Sequence, residues 1–168
     1  MAIYAQKFVS ATRKEVVMGF FNFIKTVGEK LGIGDHEPKE KDFKTAFDHF
    51  QLGTEKVNIQ VEDGKAILSG EVPDRETLEK ALLVVGNSQG ISSVDVDQLK
   101  VIDTTPRKPS RFYEVKSGDN LWKIAEEVYG KGQGNKNTFI FEANKPMLKS
   151  PDKIYPGQVL RIPEIDHS

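Results

Sequence analysis

Hydrophobic residues recur along the first hundred positions with two distinct periods. Phe43, Ala46, Phe47 and Phe50 fall at i, i+3, i+4 and i+7, which is one face of a helix, and Gly53 is placed to stop it. Val57, Ile59 and Val61 alternate with Asn58, Gln60 and Glu62, the pattern of a half-buried strand. Asp63-Gly64 then signals a two-residue hairpin turn, returning through Ala66-Ile67-Leu68. Pro73-Asp74 opens a second helix with Asp74 as N-cap; its apolar face is Leu78, Ala81, Leu82 and Val85, and Gly86 ends it. A last strand carries Val94, Val96, Leu99 and Val101, and the odd step after Val96 predicts a bulge. Ahead of these, Phe20, Phe23, Ile24 and Val27 read as the buried stripe of an amphipathic helix. The order αββαβ predicts an α+β sandwich, helices on a small mixed sheet.

Residues 103–111 hold two prolines, three basic residues and no aliphatic side chain, which is linker composition. Beyond them a short strand at Phe112–Val115 leads through Ser117-Gly118 to a helix capped by Asp119 or Asn120, with Leu121, Ile124, Ala125 and Val128 inward. A second helix over about Asn137–Asn144 is expected to bury Phe139, Ile140 and Ala143, and Val159–Ile162 closes a βααβ unit. The predicted organisation is an extension at 1–17, a first domain at 18–102 with an N-terminal helical segment, the linker, and a second domain at 112–164.

The extension reads as a translated leader or a disordered segment. Lys14-Glu15-Val16 is encodable by a purine-rich ribosome-binding run, and Met18 follows at start-codon spacing. Lys7, Arg13, Lys14 and Lys25 interrupt every apolar run near the N-terminus, so no export signal is read and a cytoplasmic location is expected. No apolar run approaches membrane-spanning length. The net charge of −1 argues against nucleic acid held by bulk charge, and the absence of cysteine removes disulfides, thiolate zinc sites and thiol catalysis. The first domain is the acidic part, with 10 basic and 15 acidic side chains over residues 18–102.

Catalytic signals are weak. His36, His49 and His167 have no metal-ligand spacing, and no nucleophile elbow, phosphate loop or zinc-protease motif occurs. Asp95 and Asp97 share a strand face, the placement of a divalent-ion pair but more often of a solvated edge. Trp122 is expected to cover the core or the domain junction. The chain reads as a monomeric binding protein without enzymatic activity.

Family resemblance sharpens this. Tyr113, Val115, Gly118, Asp119, Leu121, Ile124 and Ala125, followed by Asn144, Ile154-Tyr155-Pro156-Gly157 and Leu160-Arg161-Ile162-Pro163, closely resemble a LysM domain. The run across Val57–Val72 followed by Gly90-Ile91 and Val94 is similar to a BON domain. Together, from Met18 to Glu164, the chain resembles the bacterial BON–LysM potassium-binding protein family. That resemblance implies a protein that binds K+, changes shape on binding and serves adaptation to high external K+. It also implies the ligands: backbone carbonyls of Ile24, Lys25 and Val27 from one segment and of Gly86, Ser88 and Ile91 from another. The partners implied are the potassium ion and an unidentified protein, with no nucleic acid and no membrane.

The residues are compatible with this chemistry. Neutral carbonyl oxygens replace the hydration shell of a large monovalent cation, so a K+ site needs no acidic motif. Gly86 falls where a helix ends and leaves carbonyls without internal partners. Gly86 and Gly90 give the loop backbone the freedom to turn several carbonyls inward, and valine at Gly86 is expected to be harmful if that residue needs a positive φ; on spacing alone Gly86 is more often a plain helix cap and Gly90 a plain turn. The alternative function comes from the LysM resemblance: binding of N-acetylglucosamine polymers such as peptidoglycan, in a groove at Gly118, Asp119, Asn120, Leu121, Asn144, Ile154 and Tyr155. The absence of an export signal places that reading second.

Overall fold

A computed structural model describes residues 20–22, 40–88, 90–105, 108 and 110–165. The chain divides into two compact units between Thr105 and Pro106.

In the first unit the described elements are β1 (Phe20–Asn22), α1 (Glu40–Phe50), β2 (Val57–Glu62), β3 (Lys65–Val72), α2 (Arg75–Gly86) and β4 (Ser93–Val101). The sheet order is β1-β4-β3-β2, with β3 and β4 parallel and the other pairs antiparallel. This is the mixed sheet that the sequence predicts, with one strand more. Phe20–Asn22 pairs with β4 as a strand and is not the start of a helix; the hydrophobic spacing alone did not include the offer of a free edge on β4. The rest of that predicted helix, and the extension at 1–17, lie outside the described residues.

The helices cover the sheet. α2 lies against β3 and β4, and α1 lies against α2 and β2. Phe43 and Phe47 from α1, Leu82 and Val85 from α2, and Ile59, Ala66, Leu68 and Val94 from the sheet are each no more than 3% exposed. Leu78 is only half-buried, whereas Leu83 and Val84 are fully enclosed. The last half of α2 is therefore buried all round, and an amphipathic reading understates it. Asp74 caps α2 as expected, accepting the Thr77 amide at 2.7 Å. The bulge is also present: Ile67 pairs Asp95 but Ser69 pairs Gln98, so Leu68 faces two residues of β4. The stop of α1 is sharper than predicted, because Gln51 itself takes the left-handed conformation, two residues ahead of Gly53.

The second unit is built from β5 (Arg111–Glu114), α3 (Leu121–Tyr129), a 3-10 turn at Gly134–Lys136, α4 (Asn137–Ala143) and β6 (Val159–Ile162). β5 and β6 form an antiparallel pair. Val115, Leu121, Ile124, Ala125, Ile140, Leu148, Leu160 and Ile162 make its core. Phe139 corrects one expectation: it is 51% exposed, because successive helix residues point about 100° apart and Ile140 takes the inward direction. Trp122 is likewise 51% exposed and lies over the Gly134 backbone, where a methyl group would meet its ring.

One glycine is fixed by close approach. At Gly70, in β3, φ is +111° and a Cβ would lie 2.1 Å from the Lys56 carbonyl oxygen. Gly70→Ala should therefore cost about 2–4 kcal/mol, combining the backbone conformation with the forced shift of β2. Urea unfolding should show a lower midpoint with an unchanged slope.

Candidate functional site

The C-terminal end of α2 stops inside the first unit. Gly86 is buried, Asn87 is 1% exposed and Ser88 and Ile91 are fully enclosed. A helix leaves its last four carbonyls without intrahelical donors. Three of the four are taken locally: Leu83 O accepts the Asn87 amide at 2.9 Å, Val84 O accepts the Ser88 hydroxyl at 2.7 Å, and Val85 O accepts the Ser88 amide at 3.1 Å. Among the described residues no donor reaches the fourth, the Gly86 oxygen.

The directions of the loop carbonyls follow from peptide planarity. In a trans peptide the C=O and the following N–H point oppositely. The Asn87 N–H points back to Leu83 O, so the Gly86 C=O points forward off the helix end. The Ser92 N–H points to Gly64 O at 2.8 Å, so the Ile91 C=O points away from the β2–β3 turn. The Ser88 oxygen is engaged differently, accepting the Ile91 amide at 3.3 Å across a four-residue turn. Among the described residues no other donor is seen at this oxygen, which has two lone pairs. The turn needs a positive φ at its third residue, and Gly90 supplies +83° there. Gly86 itself is helical, so the condition of a positive φ at that residue is not met.

The structure places Gly86 at the last position of α2 and Ser88 and Ile91 in the segment that follows, all three of them buried. The other three predicted ligands, Ile24, Lys25 and Val27, lie outside the described residues. Among the described residues there is no group of three or more His, Asp or Glu side chains able to hold a metal, and no helix long and apolar enough to cross a membrane. Asp95 Oδ1 accepts the Asp97 amide at 3.0 Å, and its other oxygen lies 3.9 Å from Lys65 Nζ.

Residues 44–103 match the BON domain model and residues 113–163 match the LysM domain model. The "Potassium binding protein Kbp" of Escherichia coli O6:H1 is 53% identical over 154 residues, which cover 88% of this chain and 99% of that protein. The chain is a member of the bacterial BON–LysM potassium-binding protein family. An uncharacterized protein of Deinococcus radiodurans is 32% identical over 121 residues, 67% of this chain and 46% of that protein.

In this BON–LysM protein the side chains of the predicted glycan groove are largely committed to the fold. Asn120 Oδ1 accepts the Lys123 amide at 2.9 Å and caps α3. Asn144 is 1% exposed; its amide nitrogen donates to Ile140 O and Arg161 O, and its oxygen accepts the Arg161 amide. Leu121 is in the core, and Ile154 and Tyr155 are half-buried. Gly118 is exposed in the turn before α3. Asp119 Oδ2 accepts the Lys116 amide at 2.8 Å and the Tyr113 hydroxyl at 3.0 Å.

Tyr113 also donates to Glu127 Oε2 at 2.9 Å, so one phenolic proton serves two carboxylates. Burial and these two acceptors push the Tyr113 pKa well above its usual value. Lys116 Nζ sits 2.7 Å from Glu127 Oε1, which raises the lysine and lowers the glutamate. Burial also pushes Tyr129 up to about 12. Sequence spacing did not reveal this cluster, because its members meet only when β5 folds onto α3. Groups whose folded pKa is raised contribute stability that is complete below the unfolded value, about 10 for tyrosine, and is lost as pH rises through the folded value. The second unit should therefore lose stability above about pH 10. Tyr113→Phe should be less stable at pH 7 but should flatten that alkaline decline, as read from thermal midpoints between about pH 8 and pH 11.

Proposed function

We propose that this protein binds K+ through main-chain oxygens at the end of α2. The observation that carries the reading is the identity to a potassium binding protein along almost the whole of both chains. The buried loop supports it physically: the Gly86 oxygen is left over from the helix-end accounting, and the Ile91 carbonyl is held at a fixed orientation. Ser88 contributes its second lone pair. Ile24, Lys25 and Val27 complete six ligands. Neutral oxygens suit a large monovalent ion, and the negative end of a helix favours any cation placed there.

The protein acts by binding and not by catalysis. As a monomer in the cytoplasm it closes on K+, since the ion contacts the closed form better than the open one. It reports high K+ to a protein partner. The LysM match favours a second reading, in which the second unit binds an N-acetylglucosamine polymer. The commitment of Asp119, Asn120 and Asn144 to internal hydrogen bonds weighs against it. Retention on insoluble chitin or peptidoglycan would favour the glycan reading.

Thermal unfolding in KCl against NaCl at equal ionic strength tests the ion. At 100 times the dissociation constant a ligand adds about 2.7 kcal/mol, which raises the midpoint by roughly 2–4 °C per kcal/mol for a chain of this size. Equal midpoints in the two salts overturn the proposal. Ser88→Ala keeps the coordinating carbonyl but loses the hydroxyl bond to Val84 O. It should lose about 1 kcal/mol in both salts and keep the K+-dependent rise. Gly90→Ala, strained at φ +83°, should lose about 1–2 kcal/mol and most of the K+-dependent rise.

A further inference from the structure

The β2–β3 turn has a second task besides reversing the chain. The Gly64 carbonyl oxygen accepts three donors: the Ser92 amide at 2.8 Å, the Ser92 hydroxyl at 3.2 Å and the Ser93 amide at 3.3 Å. All three come from the two residues that follow Ile91. The turn conformation is specific, with Asp63 at φ +49° and Gly64 at φ +77°. β3 leaves this turn and pairs in parallel with β4, so Lys65 stands opposite Ser93 and Gly64 faces the end of the loop.

We propose that the Asp63-Gly64 turn is the positioning clamp of the K+ loop, with Ser92 as the residue that the clamp grips. The proposal rests on the K+ reading above. The Ile91 C=O and the Ser92 N–H belong to one rigid peptide plane, so fixing the N–H fixes the carbonyl. The Ser92 hydroxyl, bound to the same oxygen, adds a second tie between this residue and the turn. The loop is pinned at its other end by the Ser88 amide, which holds the Val85 oxygen. The Ile91 carbonyl thus keeps its orientation before the ion arrives, so less ordering is left for binding to impose.

The test uses the full chain, freed of K+ and titrated with KCl by calorimetry in a constant NaCl background, with thermal midpoints taken in each salt. Loss of one hydrogen bond that acts in the bound state corresponds to about threefold to tenfold weaker K+ binding. Ser92→Ala should show that weakening, and Ser92→Thr, which restores the hydroxyl, should return the affinity toward wild type. Ser92→Pro, which lacks the amide donor, should show no K+-dependent rise in midpoint. A Ser92→Ala protein with lower midpoints in both salts but an unchanged K+ affinity overturns the clamp and leaves a purely structural bond. Failure of threonine to restore the affinity overturns it too. A wild-type protein indifferent to K+ overturns the underlying ion reading instead, whatever Ser92 does.

Discussion

A helix that ends in the interior of a protein must find partners for its last carbonyl oxygens, since a buried polar group without one costs about as much as a lost hydrogen bond. In the first unit of this BON–LysM protein that constraint governs the segment from Leu83 to Ser93. α2 is packed against the sheet and α1, and its last turn is buried. Ser88 folds back and satisfies two of the oxygens with its amide and hydroxyl, and Asn87 satisfies a third. Among the described residues the Gly86 oxygen is the remainder, directed out of the helix end. The same economy of donors that stabilises the fold thus leaves one strongly polar, neutral group facing the loop.

Planar peptides convert these hydrogen bonds into directions. Each amide that is held elsewhere aims the carbonyl of the residue before it. Asn87 aims Gly86 and Ser92 aims Ile91. These carbonyl directions are set by main-chain hydrogen bonds. They depend on elements that look remote in sequence: the β2–β3 hairpin, whose Gly64 oxygen takes three donors, and the parallel pairing of β3 with β4 that brings the hairpin to the loop.

The second unit applies the opposite strategy, spending polar side chains on its own architecture. Asn144 joins α4 to β6 with three bonds, and Asp119 fixes the approach to α3. Tyr113 links that approach to Glu127 on α3, and Arg111 reaches both Glu164 and the Val128 carbonyl across the chain ends. A small core gains from such ties, because a unit of this size buries little apolar surface per residue.

The sequence by itself determined the elements whose causes are local. The alternation at Val57–Val61, the Asp63-Gly64 turn, the Asp74 and Asn120 caps and the odd step after Val96 are short-range steric and hydrogen-bonding preferences, and each is found where the pattern puts it. Motif spacing was also enough to reveal the BON and LysM units. Only the tertiary structure decided what depends on neighbours distant in the chain. Phe20–Asn22 is a strand because β4 offers it an edge, and Phe139 is outside because Ile140 takes the inward direction. The positive φ belongs to Gly90 and not to Gly86 because the helix runs through residue 86 before the loop turns. The grip of Gly64 on Ser92 was invisible in sequence for the same reason: backbone oxygens carry no residue code, and which donor reaches them is set by how strands twenty-eight positions apart are laid side by side.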